Sequence, residues 1–410
     1  LGDKVHCKES VGEGAVPLRD NFKETGEMQN DDPKRRPIHV LVALLTTAFI
    51  GFSTGGCGSD DTSVNVDNTK DYVITSAAEL ASLSGLATVT GDLTIEKSVD
   101  LTSLAGLDSL VRVQGSLNIR NNSNLASLDG LNKLVSVGKN LLIKDNDALT
   151  SLTALENLTT VRNVYIEANG SLTNLAGLHN LLTIGGEFHI LNNNALGSLE
   201  ALNKLTSVDG DLFINRNDVL TSLEGLRSLS MVNGDLGISN NDHLTDLDGL
   251  RNLSSVEGVW IGYEEVRIGS SINYYYSGND ALTSVQGLSK LTSIGGKIHI
   301  CTNASLTSLE GLNNVKSIAE DLSIHHGALT SLEGLDSLVT LGGTVHIFSN
   351  SDLTTLELNS LDSVGGNFWI LNNPNLPTTL VTALRDQVLA GGGIDQEIII
   401  CGNQGGSPCN

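Results

Sequence analysis

Basic residues are scarce in this chain. Its 410 residues hold 24 Lys and Arg against 47 Asp and Glu, a net charge of −23. Nucleic acid and anionic membrane surfaces both need a Lys/Arg footprint, so neither is expected as a direct partner. Aromatic residues make up only 4%, which suits thin stacked layers of Leu, Val and Ile better than a globular interior. Catalytic signatures are missing too: no Gly-x-Ser-x-Gly, no His-Glu-x-x-His and no glycine-rich phosphate loop ahead of a helix. Carboxylates recur without a convergent cluster, so the polysaccharide cleavage of some β-helices has no visible machinery. The expectation is a non-enzyme without cofactor. Five cysteines include no Cys-x-x-Cys and no Cys/His zinc spacing, and no metal site is expected.

What is present is a repeat. From Leu101 to Leu376 one pattern returns about every 24 residues: Leu-Thr-Ser-Leu-x-Gly-Leu-x-x-Leu-x-Ser-Val-x-Gly-x-Leu-x-Ile-x-x-Asn. Such a period marks a solenoid, in which each unit covers the apolar face of the next and none is stable alone. In one unit Leu220, Leu223, Leu226, Leu229 and Val232 fall every third residue, and Leu236 and Ile238 then alternate with polar or small residues. Unbroken threes fit no α-helix; they fit a coil of short extended faces joined by corners. The glycine before Leu-x-Ile (Gly234 here) marks a bend that requires either a positive φ or a close backbone approach. Asparagines three residues before the leading leucines, from Asn122 and Asn146 through Asn217 and Asn241 to Asn350 and Asn373, predict a ladder of stacked amides, broken at His326.

Three features depart from this scaffold. Between Leu244 and Leu282 the period stretches to 38 residues; the insert, 264–277, ends in Tyr274, Tyr275 and Tyr276 and follows Tyr263. Solenoid insertions emerge on one face, and tyrosine supplies contact area with a hydroxyl handle. Two readings stand: a recognition element, or a tolerated hairpin lying against the coil. The outward residue of each Leu-x-Ile strand forms a column: Asn118, Leu142, Tyr165, His189, Phe213 and Gly237, then His299, Ser323, His346 and Trp369. His299, His325 and His346 fall on successive coils, but no carboxylate accompanies them at a matching spacing.

The ends have their own character. Residues 72–86 begin the array with a strand and a polar turn; Thr378–Ala390 has apolar residues at helical spacing, predicting a capping helix before a strand at 397–401. Cys401 and Cys409 bracket a short polar loop, the spacing of a disulfide in an exported protein. Cys301 reads as a small buried residue. Near the N-terminus, Lys34-Arg35-Arg36 precedes an apolar run, 38–52, too short to span a bilayer comfortably. It ends at Ser53-Thr54-Gly55-Gly56-Cys57. Residues 1–27 show no periodicity and precede Met28, the start that a signal peptide of 28–56 would use. Residues 57–71 read as a polar tether.

Small residues before Cys57 resemble a bacterial lipobox, which implies cleavage before Cys57, its lipidation, and attachment to membrane through that anchor only. Gly58 rather than Asp follows, so by the same resemblance the outer membrane or cell surface is the expected address. Seven of the Lys and Arg and eight of the Asp and Glu precede Cys57, leaving a mature chain of about −22. The repeat itself, over 72–401, is similar to the receptor L-domain and to related arrays in bacterial surface lipoproteins. It differs from the usual leucine-rich repeat: two residues, not one, separate Asn241 from Leu244, and three, not two, separate Val232 from Leu236. A horseshoe with outer helices is therefore the second choice.

The expectation is an all-β, parallel β-solenoid of about a dozen coils over 72–376, with a cap of helix and strand over 377–410. At about 4.8 Å per coil the rod would measure roughly 55–60 Å. The resemblance implies non-catalytic recognition or adhesion toward a protein or glycan ligand, with Tyr263, Tyr274, Tyr275, Tyr276 and Trp369 as contact residues. A ligand-free envelope spacer and a polysaccharide-acting enzyme are the alternatives.

Overall fold

The computed structural model describes residues 71–268 and 271–409, and of 264–276 only the backbone. Residues 1–27, the expected signal peptide, Cys57 and nearly all of the expected tether lie outside the described residues. Within them the chain winds a parallel β-solenoid of about twelve coils.

Each Leu-x-Ile segment adds one strand to a 16-stranded sheet. Identical places pair with identical places: Leu212 with Leu236, Phe213 with Gly237, Ile214 with Ile238. That register follows from the pattern, because a one-residue slip would turn every inward Leu and Ile to solvent. A second side carries two-residue strands around the Ser-Val step in most coils. In the first coils these join the 16-stranded sheet, where Ser136–Lys144 and Thr160–Glu167 run through both places. Later ones pair in two further parallel sheets, of 3 strands (Thr183–Ile184, Ser207–Val208, Met231–Val232) and of 5 strands ending at Gly393–Ile394. The third side is irregular, tightening into single 3-10 turns such as Glu224–Leu226 and Asp248–Leu250. No α-helix occupies that side among the described residues of the repeats, so the outer-helix horseshoe is set aside.

The interior follows the rule of threes. Leu220, Leu223, Leu226, Leu229, Val232, Leu236 and Ile238 are all fully buried, and their counterparts stack above and below into one continuous core. At the bend, Gly234 is needed for close approach and not for a positive φ. A Cβ there would lie 2.7 Å from the carbonyl carbon of Gly210 and 2.8 Å from the amide nitrogen of Asp211 in the preceding coil.

The asparagines form the expected ladder. The Asn217 amide Nδ2 donates to Ile190 O (2.9 Å) and Asn215 O (3.2 Å), and its backbone N–H donates to Asn241 Oδ1 (3.1 Å). Its own Oδ1 accepts the backbone N–H of Asn193 at 3.2 Å. Each buried amide thereby satisfies three coils, including backbone groups that a corner would leave orphaned. The ladder also runs further than the leucine spacing revealed. Ser98 donates its N–H to Asn122 Oδ1 at one end, and Asn403 accepts from Asn373 at the other. The residue before nearly every rung is left-handed, for example Asp145 at φ 52° and Asn240 at φ 52°; Gly278, before Asn279, is the exception.

His326 corrects the expected register. It is not a substituted rung: with φ 51° it belongs to the left-handed column beside Thr302 and Ser349. Gly327 stands at the rung, its N–H donating to Asn350 Oδ1 at 3.3 Å. That coil has lost one residue between rung and leading leucine, which shifted the count.

Both ends of the sheet carry helices. The expected polar turn at the N-terminus is a short helix, α1 (Ala77–Ala81), following the strand Tyr72–Ile74. Ser76 Oγ accepts the Glu79 N–H at 3.4 Å, and Glu79 Oε2 accepts the Thr75 N–H at 2.7 Å. The pair resembles a capping box, except that Glu79 reaches back to the residue before the N-cap. Helix α2 (Thr378–Ala390) buries Val381, Leu384 and Val388. Gln387 Nε2 donates to Leu361 O at 2.8 Å. Strand Ile398–Cys401 then pairs with Phe368–Leu371 as the last rung of the long sheet. Cys401 and Cys409 are joined in a disulfide.

Candidate functional site

The outward face of the long sheet carries an aromatic ridge. Side chains in a parallel sheet repeat at the strand spacing, about 4.8 Å, so rings in one column must touch. Tyr165 meets His189 with ring centroids 5.1 Å apart, and His189 meets Phe213 at 4.9 Å. Gly237 leaves a gap over which Phe213 leans: a Cβ at Gly237 would lie 2.8 Å from Phe213 Cε1. The ridge resumes with Trp260, which the column read from the sequence had missed. Trp260 pairs in register with Gly237 on one side and His299 on the other. Its strand reads Val259-Trp260-Ile261 and runs straight into the insertion, which displaced the next repeat and hid this strand from the count. Beyond Ser323 the ridge ends with His346 and Trp369, edge to face at 5.5 Å.

The insertion grows out of this ridge. After Ile261 the chain turns at Gly262, φ 83°, and forms an antiparallel hairpin, Tyr263–Ile268 with Ser271–Tyr276. Tyr263 is 9% exposed; its ring lies 4.9 Å from Trp260 and stacks at 5.1 Å on His299. Tyr274, Tyr275 and Tyr276 oppose Glu265, Glu264 and Tyr263 in backbone register. The base is closed by the Ser277 N–H donating to Gly262 O at 3.0 Å. Of the five residues proposed as contacts, Tyr263 and Trp369 thus lie on the ridge, and the three later tyrosines occupy the returning strand of the hairpin.

The histidines do not converge. His299 and His346 share the ridge column, with Ser323 between them. His325 sits in the next outward column, in register with Cys301 and Phe348, and is 2% exposed. It stacks on Phe348 at 4.4 Å. Among the described residues no three His, Cys, Asp or Glu side chains come together to hold a metal. Burial holds these imidazoles neutral: His299 is pushed down to about 4, with Lys297 adding to the effect. His346 is pushed to about 4 and His325 to about 3, the latter also by His326. His189 is lowered by burial despite Glu187 at 3.8 Å, so that contact is no ion pair at neutral pH. Cys301 is likewise a buried, inert thiol, pushed up to about 12 by burial, with its S–H donating to Gly262 O.

A third column, at the start of each strand, was not read from the sequence. Here a side-chain oxygen accepts the backbone N–H of the next coil: Asn163 from Glu187 (2.9 Å), Asp211 from Asp235 (2.8 Å), Asp321 from Thr344 (2.8 Å), Asn367 from Glu397 (3.1 Å). Its signal was the recurrence of Asp, Asn or Glu immediately before Leu-x-Ile. Beside the first half of the ridge this column is acidic. Tyr165 donates its hydroxyl to Glu187 Oε2 at 2.7 Å, and burial together with that bond raises its phenol above the usual range. Asp235 is half-buried, and its carboxyl is raised first by that burial and then by the neighbouring Asp211.

Comparison with known proteins finds no matching family model and no matching curated sequence. The arrangement is therefore interpreted from its own chemistry: a partly buried run of rings at varied tilts, flanked by carboxylates, with a hairpin rooted at its middle.

Proposed function

We propose that this protein is a non-catalytic recognition or adhesion protein of a bacterial outer membrane or cell surface. Cys57 carries the lipid anchor, and the outward face of the long sheet contacts a protein or glycan ligand. The resemblance of 72–401 to receptor L-domains and of 53–57 to a lipobox supports this reading. The observation that carries it is the stacking of Tyr263 on Trp260 and His299. It joins the one long insertion to the one aromatic ridge, so both departures from the scaffold form a single surface. Partly exposed rings contiguous over several coils are the composition of contact surfaces, since they contribute apolar area with little side-chain entropy to lose.

The test is a binding screen of the soluble 58–410 fragment against whole envelopes, a glycan array and surface-protein extracts. It is run intact, with 264–276 removed, and as Trp369→Ala. Ser277 is kept, because its N–H closes the hairpin base on Gly262. The expected result is a ligand retained by the intact fragment and lost at least tenfold, about 1.4 kcal/mol, by the hairpin deletion. Binding unaffected by all these changes would remove the face from the function, and a fragment that retains nothing would leave the envelope spacer. Palmitate labelling of the full chain, abolished by Cys57→Ser, tests the anchor separately.

A further inference from the structure

The acidic column beside the first half of the ridge does more than its structural task requires. Of its three carboxylates only Asp211 accepts a backbone N–H, a task that neutral Asn163 and Asn367 perform elsewhere in the column. Yet Glu187, Asp211 and Asp235 stand on three successive strands, where Phe188, Leu212 and Leu236 pair in register beside them. Adjacent carboxylates at about 4.8 Å repel one another. The ion pairs of this face lie elsewhere: Arg120 with Glu96, Lys144 with Glu167, Lys297 with Asp321. Among the described residues no Lys or Arg pairs with Asp211 or Asp235, and the charged groups acting on Asp235 are all acidic: Asp211, Glu257 and Glu320.

Beside this track run His189, Phe213 and, across the gap at Gly237, Trp260. The π faces of such rings attract cations, and Trp does so best. A surface offering ring faces and unneutralised carboxylates side by side is complementary to ammonium and guanidinium groups on apolar stems. We propose that the face between Glu187 and Trp260 docks an extended basic segment of a partner protein. Its Lys or Arg stems lie over the ring column and their charges meet Glu187, Asp211 and Asp235. This deepens the recognition reading above and rests on it.

Geometry and charge separate this occupant from others. Same-side residues of an extended peptide repeat at about 7 Å, and three carboxylates on neighbouring strands span about 10 Å, room for two cationic side chains. A single divalent ion would need a convergent group of three or more ligands, and the described residues hold none. Tyr165 stands at 82° to His189 and His189 at 34° to Phe213, so these rings form no single plane on which a sugar chain would lie across several of them.

Tryptophan fluorescence tests this directly, because the chain's two tryptophans, Trp260 and Trp369, both lie on the ridge. The intact chain is titrated with decalysine at low and at physiological salt. A saturable change in emission is expected, with affinity about tenfold weaker at the higher salt. In D211N/D235N the amide oxygen at 211 still accepts the N–H of residue 235, so the melting temperature should hold while affinity falls at least tenfold. Phe213→Leu, which leaves every charge in place, should weaken binding several-fold. D129N/E156Q removes two exposed charges away from this face and should bind as the parent does. The proposal is overturned if decalysine leaves the emission unchanged or binds D211N/D235N as tightly as the parent. It is also overturned if neutral chitohexaose shifts the emission equally in parent and double variant. In that last case the recognition face survives and only its cationic chemistry fails. Loss of ligand on hairpin deletion in the envelope screen remains an independent readout of the face.

Discussion

At the scale of single residues, the buried asparagines and histidines carry opposite obligations. Asn217 Nδ2 satisfies Ile190 O and Asn215 O and its Oδ1 satisfies the Asn193 N–H, so truncation strands backbone groups in two coils. Asn217→Ala should destabilise by about 2–4 kcal/mol, as expected for two or more buried groups left unpaired. Urea denaturation measures this, and an unchanged midpoint would refute the ladder. The histidines have no such network to keep them charged. His299, His325 and His346 stay neutral until about pH 4, 3 and 4, whereas an unfolded chain protonates them near 6.5. Between those limits the unfolded state binds more protons, so their contribution is complete above pH 6.5 and declines as pH falls toward 4. Asp235, raised in the fold, acts with the opposite sign. Stability against pH, measured between 7 and 4, should therefore have a shallower slope in His346→Phe than in the parent.

At the scale of the coil, each unit is decided by what its neighbour permits. Gly234 is required because the backbone of Gly210 and Asp211 occupies the place of its Cβ. Gly234→Val should cost about 1–3 kcal/mol by forcing two coils apart, read as a lower melting temperature. The close approach was one of the two reasons the sequence offered for this glycine, and the structure selects it. Trp260 illustrates the reverse case. Its place on the ridge follows from pairing with Gly237 and His299, information a one-dimensional period could not supply once the insertion had displaced the next repeat. The His326 shift has the same origin: a count from leucine to leucine cannot tell a substituted rung from a deleted residue, while the φ of His326 and the bond from Gly327 can.

At the scale of the molecule, a repeat array is a sum of coils and interfaces, and its ends decide whether it stays soluble. Ile398 on the last strand is 38% exposed, so the C-terminal cap is thin and depends on α2 and the Cys401–Cys409 loop. Removing 377–410 would expose the whole edge of Phe368–Leu371. The truncated chain should associate through that edge, seen as a rise in mass by light scattering. Reducing the disulfide while leaving α2 in place should cost about 2–3 kcal/mol of local stability at most, by the loop-closure estimate, and leave the rest of the array folded. Hydrogen exchange confined to the last coil would confirm that division.

The coil, the direction of each leucine, the capping helix and the asparagine ladder were legible in the sequence. Each depends on a period, and a period is local: one unit's pattern states which of its own side chains face inward. The tertiary structure alone decided what the outward residues do together. Register brings Trp260 between Gly237 and His299, roots the tyrosine hairpin on the ridge, separates His325 from His299 and His346, and lines Glu187, Asp211 and Asp235 along one flank. Apart from Tyr263 and Trp260, the residues so brought together lie 23 or more positions apart along the chain. Their contact is fixed by inter-strand hydrogen bonds and by the stagger of each insertion and deletion, which appear only when the coils are stacked.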